Sequence, residues 1–202
     1  MKVTVGHDSE FGLEQEGMPV SALDVLERED YPEGSLFPDN LNCEIAITPV
    51  ETLKAFHEKT ESLLNRVRDK GYNLIMEPTV LYPVASLLHP EAYISGCNPD
   101  WNAYTGQENE PPDFTRINAM RSCGAHIHAG VEGLNPFQFT KWMDLLVAIP
   151  LLCVEQKSER RELYGAAGCM RIKDYGAEYR TLSNVWLEGV QPLYSSVDVR
   201  TT

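Results

Sequence analysis

Four times in this sequence two chemically active side chains are separated by a single residue: Asp8/Glu10, His126/His128, Arg171/Lys173 and Glu178/Arg180. Asn42/Glu44 is a fifth, weaker case. Successive side chains of a β-strand point to opposite faces, so residues i and i+2 share one. Around the first pair the odd positions Val3, Val5, Phe11 and Leu13 are apolar, opposite Thr4, Gly6, Asp8, Glu10 and Gly12. Leu41, Cys43, Ile45 and Ile47 alternate with Asn40, Asn42 and Glu44, and Ala125, Ile127, Ala129 and Val131 with Gly124, His126 and His128. Such strands need one face on a core and tolerate a polar opposite face. Strands buried on both faces of a parallel sheet read instead as continuous apolar runs. The expected architecture is therefore α+β, an antiparallel sheet with helices packed on one face.

At 202 residues, 43% hydrophobic and 23% charged, the chain fits one globular domain spanning 1–202. A net charge of −13 argues against nucleic acid as a partner, because counterion displacement needs basic patches. The apolar stretch Leu145–Val154 is too short for a bilayer and contains Pro150, which argues against membrane insertion. Met1 leads into a strand pattern rather than a secretory leader, and the five cysteines are odd in number with no C-x-x-C pair. A reducing cytoplasm is the expected location.

Glu14–Asp39 reads as acidic and irregular. A helix is expected to start at Thr48, with Pro49 and Glu51 completing a capping box, a stripe of Val50, Leu53, Leu63, Leu64 and Val67, and a stop at Gly71. Tyr72–Met76 reads as a strand, and Glu77–Pro112 as a long functional segment rich in Pro, Asn and aromatics. Asn135-Pro136 starts a second helix that Pro150 kinks or divides. Lys157–Leu163 is helix-competent, Tyr164–Gly168 a turn, and Cys169–Lys173 and Ala177–Leu182 are strands.

Two carboxylates on one strand face lie roughly 6.5 Å apart along the backbone, close enough to share a divalent cation. Hard oxygen ligands favour Mg²⁺ or Mn²⁺. A solvated strand face accounts for Asp8 and Glu10 equally well when they are taken alone. His126 and His128, between Gly124 and Gly130, are the more specific pair, since two imidazoles on one face are seldom both core fillers. Arg171 and Lys173 suit a polyphosphate, or simply the surface. Glu178 suits a cation and Arg180 a phosphoryl oxygen, or the two form a structural ion pair. Together the pairs describe what holding ATP with divalent cations requires.

In their order these motifs resemble the glutamine synthetase and glutamate–cysteine ligase superfamily, through Gly6-His7-Asp8-Ser9-Glu10-Phe11, Gly124-Ala125-His126-Ile127-His128 and Glu178-Tyr179-Arg180. More closely, the chain resembles the phage-type COOH·NH2 ligases, or type 2 amidoligases. That resemblance rests on His7–Gly12, Cys97–Tyr104, Arg121–His128, Glu159–Gly168 and Tyr175–Asn184.

The resemblance implies a curved sheet like the glutamine synthetase catalytic domain. It also implies an ATP-dependent carboxylate–amine ligase that acts through an acyl phosphate with Mg²⁺ or Mn²⁺. Carried over by position, Asp8, Glu10, Glu44, His126 and Glu178 would hold metal. His128, Arg171, Lys173 and Arg180 would contact the nucleotide, with Glu44, Arg171 and Arg180 catalytic. Arg121, Asn98, Trp101, Asn102 and Tyr104 are candidates for a small-molecule or peptide substrate. A homo-oligomer is open, as is host cytoplasm for a phage-encoded chain. A helix usual for the family beyond Asn184 is expected to be missing, since the chain ends at Thr202. A guanidino-kinase-like phosphotransferase and a non-catalytic nucleotide- or peptide-binding relative are the competing readings.

Overall fold

The computed structural model describes residues 2–93, 100–110, 119–153, 155 and 159–190. In chain order the first half contains β1 (Val3–Gln15), β2 (Met18–Val20), α1 (Ala22–Val25), β3 (Glu29–Tyr31), β4 (Gly34–Asp39), β5 (Asn42–Ile47), α2 (Leu53–Asp69), β6 (Asn73–Ile75) and β7 (Thr79–Leu81). The second half contains β8 (Trp101–Asn102), β9 (Gln107–Glu108), β10 (Met120–Ser122), β11 (Ala125–Val131), α3 (Pro136–Met143), α4 (Ile149–Leu152), α5 (Arg160–Leu163), β12 (Cys169–Lys173), β13 (Gly176–Tyr179) and α6 (Trp186–Val190). The main sheet runs β3-β4-β5-β1-β11-β13-β12-β8-β9, with β2 and β6 on the far end of β1. Its pairings are antiparallel, and β7 and β10 form a separate small sheet. The α+β class with a large antiparallel sheet is as the alternation implies. Among the described residues no helix is long and apolar enough to cross a membrane.

The central strand explains the rest. Phe11 and Leu13 on its odd face are fully buried, in one core with Ile45, Leu63, Leu64, Val67 and Leu187. α2 and α6 therefore cover this face over β1 and β5. Over β11 and β13 the same face carries Ile127 and Tyr179, which pack with Phe139, Met143 and Val147 of the second helical segment. Helices thus lie on one side, and the even face is free for chemistry.

The odd face also buries His7 and Ser9. The Thr60 hydroxyl donates to the Phe56 carbonyl at 2.7 Å, so it accepts from His7 Nε2 at 2.8 Å, and Ser9 donates to His7 Nδ1 at 2.8 Å. Burial pushes the His7 imidazole down to about 3, with Asp8 opposing, so it is a neutral tie between sheet and helix.

Two local readings are corrected. Glu14–Asp39 is not irregular: β3 and β4 extend the main sheet from β5. The close approach of Gly34 to β5 allows this, since a Cβ there would lie 2.0 Å from the Ala46 carbonyl oxygen. The first long helix is capped by Thr52, whose hydroxyl accepts from the Ala55 amide at 3.2 Å. Thr48 instead donates to the Pro32 or Glu33 carbonyl, and Val50 bridges Val5, which keeps the chain extended and leaves Leu53 exposed. Pro150 does divide the second helix, through a π turn at Asp144–Ala148.

Gly12 lets β7 close over the far end of the even face, because Val80 would lie 2.9 Å from a Cβ there. Asn42 ties this wall down, donating to the Ser122 carbonyl and accepting from the Tyr82 hydroxyl, each at 2.9 Å. Gly34→Ala should cost about 3 kcal/mol or more, because backbone must move. Gly17→Ala, with φ +79° but open space around it, should cost about 1 kcal/mol. Urea unfolding of the two variants checks the difference.

Candidate active site

Strand register assembles the site. Glu10 stands opposite Glu44, Asp8 opposite His126, His128 opposite Glu178, and Glu178 opposite Arg171. Opposed residues of an antiparallel pair share a face, so the polar pairs of β5, β1, β11, β13 and β12 form one row. Asp39 of β4 joins it, since Asp39 pairs with Asn42, and Asn42 and Glu44 share a face.

At one end Glu10, Asp39 and Glu44 each place a carboxylate oxygen within 4.8 Å of the others. Burial raises Glu10 to about 8, Asp39 adding to the effect, against the Gly124 amide that donates to Oε2 at 3.2 Å. Burial and the Asp8 charge push Glu44 well above its ordinary range, and the same two causes raise Asp39. Three carboxylates with so little neutralising charge are a poor arrangement for the protein alone and a suitable one for a hard divalent cation. The backbone of Glu10 is fixed by Asn184, whose amide donates to the Glu10 carbonyl at 3.0 Å, and by its own N–H to the Gly124 carbonyl at 2.8 Å.

In the centre Asp8, His128 and Glu178 form a second group of three ligand atoms within 4.8 Å. His128 Nε2 lies 2.9 Å from Asp8 Oδ2 and its Nδ1 2.5 Å from the Tyr175 hydroxyl, so the ring is held at both nitrogens. His126 Nδ1 lies 2.8 Å from Asp8 Oδ1 and 3.3 Å from Arg180 Nη1. Burial, joined by Arg180, lowers His126 and keeps it neutral. Burial would raise Asp8, but the two histidines outweigh it and hold the carboxyl well below its ordinary range.

At the other end Glu178 is fully buried among cations: Lys173 at 2.7 Å, Arg171 at 3.4 Å and Arg180 in direct contact. Burial alone would raise it; Arg180 and His126 override that and bring Glu178 down to about 2. Arg180 is itself held by the Tyr164 hydroxyl and by Asp100, 3.5 Å from Nε. Arg160, also fully buried, donates to the carbonyls of Thr181 and Leu182 at 3.0 and 2.8 Å, which fixes the chain just beyond Arg180.

Asp8, Glu10, Glu44, His126, His128, Glu178, Arg171, Lys173 and Arg180 are thus brought together. The two histidines differ in their surroundings. His128, expected on the nucleotide, stands with Asp8 and Glu178 as a potential ligand. His126, expected as a ligand, is buried with Nε2 against Gly124, where a Cβ would come within 2.6 Å.

Of the described substrate candidates, Asn102 alone is on the site face by register, opposite Cys169, two residues before Arg171. Trp101 pairs with core-facing Met170 and meets Phe137 of α3 edge-on at 6.5 Å, on the helix side. Asn102 accepts from the Tyr104 and Thr105 amides and so closes a turn, and Tyr104 lies under Lys141. Arg121 is committed to Asn40 and to the Ala92 and Met120 carbonyls. Asn98 lies outside the described residues. Asp39, Asp100, Tyr164 and Tyr175 carry no signal in an i, i+2 reading, because each reaches the site from a neighbouring hairpin or turn.

The family model described as phage phiEco32-like COOH.NH2 ligase-type 2 matches residues 118–195. The matched span contains the Gly124–His128 and Glu178–Arg180 motifs, so over these residues the chain is similar to a family described as a ligase, the one its sequence resembles. No curated protein and no solved structure matches the chain.

Because the folded protein raises Glu10 to about 8, its protonated form is favoured on folding. The contribution of Glu10 is fully present below about pH 4.5 and is lost as pH rises through 8. In metal-free buffer Glu10→Gln should therefore gain stability relative to the parent between pH 5 and pH 8, as read by urea unfolding at intermediate pH values. A constant difference across that range would contradict the environment assigned to Glu10.

Proposed function

We propose that this relative of the COOH.NH2 ligases is an ATP- and Mg²⁺- or Mn²⁺-dependent enzyme that forms an amide through an acyl phosphate, on a sheet of the glutamine synthetase type. The observation that carries this reading is the single row of two three-ligand groups ending in three cations. The strand order supports the fold assignment: the acidic first strand lies between the Glu44 strand and the histidine strand, and the Glu178 strand follows.

Divalent ions bound at Glu10, Asp39 and Glu44 and at Asp8, His128 and Glu178 would neutralise those carboxylates and withdraw charge from ATP phosphates. The substrate carboxylate oxygen attacks the γ-phosphorus as its bond to the ADP oxygen breaks. The amine nitrogen then attacks the acyl carbon, phosphate departs, and the nitrogen loses its proton. The protein's own task is positioning and electrostatics. Arg171, Lys173 and Arg180 supply positive charge to the transferring phosphoryl group. Glu178 orders those three side chains, and Tyr175 and Asp8 fix the plane of His128. Partners are a small-molecule or peptide carboxylate and amine, not nucleic acid, and the proposed location is the cytoplasm.

The test is a panel of carboxylate and amine pairs with ATP and Mg²⁺, read by ADP release and product mass. ADP should appear only with both substrates present, and Glu178→Gln should lower turnover ~100-fold or more. A phosphorylated acceptor without amide would point to a phosphotransferase. Nucleotide binding without ADP release throughout the panel would point to a non-catalytic relative.

A further inference from the structure

The segment from Pro136 to Leu152 is apolar on two sides. Phe139, Met143, Val147, Ala148 and Leu151 pack on Ile127, Tyr179 and Leu182. Trp142, Leu145, Leu146, Ile149 and Leu152 do not belong to that core and are 47–65% exposed. Their intervals of three, one, three and three residues draw one stripe along a helix. A helix apolar all round is ordinarily a buried one. Between Trp142 and Cys153 the sole charged residue is Asp144, which is buried and accepts from the hydroxyls of Tyr179 at 2.5 Å and Thr181 at 3.3 Å. The exposed stripe therefore carries no charge.

We propose that this stripe is the core of a homodimer interface in which the same helical segment of a second copy packs antiparallel across a two-fold axis at Leu145–Leu146. Trp142, Leu145, Leu146 and Ile149 are their own complement about that point, with Leu152 beyond them. The axis sets Trp142 of each copy against the partner's Ile149, and Leu145 against the partner's Leu146, as an isologous contact requires. Size agrees as well. Large apolar side chains of this kind, each about half exposed, present roughly 500 Å² together, against about 800 Å² per partner in a standard interface. The stripe would then form the dry centre, with the flanks of α3 and its neighbours as rim. A lipid surface fits poorly, since an interfacial helix carries a basic face. Residues 136–153 hold one lysine and no arginine, in a chain of net charge −13. Through Asp144 the segment is hydrogen-bonded to Tyr179 and Thr181, on either side of Arg180, so the second copy would pack directly behind the site strand.

Sedimentation equilibrium of the full chain from about 1 to 100 µM, at low and moderate salt, tests this. A monomer–dimer equilibrium is expected, tightening as salt screens two acidic copies. Leu146→Glu should weaken association by ~100-fold or more, with the circular dichroism and melting temperature of the parent retained. Leu145→Glu repeats the measurement should the first variant not fold. A monomer at 100 µM overturns the proposal. So does a dimer that withstands both substitutions, or a chain that stays monomeric while binding neutral or anionic vesicles.

Discussion

The register of β1 between β5 and β11 is the constraint on which everything else depends. A shift of one residue would turn Asp8 and Glu10 into the core and Phe11 and Leu13 out of it. Phe11 and Leu13 are fully buried, so the register is fixed from the odd face. The even face inherits it: Glu10 meets Glu44, and Asp8 meets His126. Like charges opposed across an antiparallel pair destabilise a sheet. Core packing on the other side is what holds these acids in place.

Charge along the row is uneven, and that unevenness is the chemical content of the site. Glu178 is compensated by Arg171, Lys173 and Arg180 and is held down to about 2. Glu10, Asp39 and Glu44 have little nearby compensation and are all raised. One end therefore carries more positive than negative charge, whereas the other would gain from added positive charge. Asp8, between two histidines, joins the two.

Alternation made the sheet, its class and nine of the converging side chains legible, because a period of two is imposed by backbone geometry alone. What alternation could not supply is partner identity. Asp39 was hidden because β3 and β4 are written in acidic and turn residues, although Gly34 marks where they approach β5. The two histidines share a face, and only the closeness of Gly124 distinguishes the enclosed His126 from His128. Thr48 and Thr52 both precede helix-competent sequence, and the Val5–Val50 bridge decides between them. Trp101 stands in an aromatic, Asn-rich stretch that suggests a substrate wall, but its pairing with Met170 places it on the helix side.

The most direct test of the central claim is a Mn²⁺ titration of the nucleotide-free chain, followed by electron paramagnetic resonance. The account predicts two saturable sites that Mg²⁺ displaces, with Asp39→Asn and Glu44→Gln each weakening one site and leaving the other. No saturable binding by the parent chain, or binding by both variants identical to that of the parent, would contradict it.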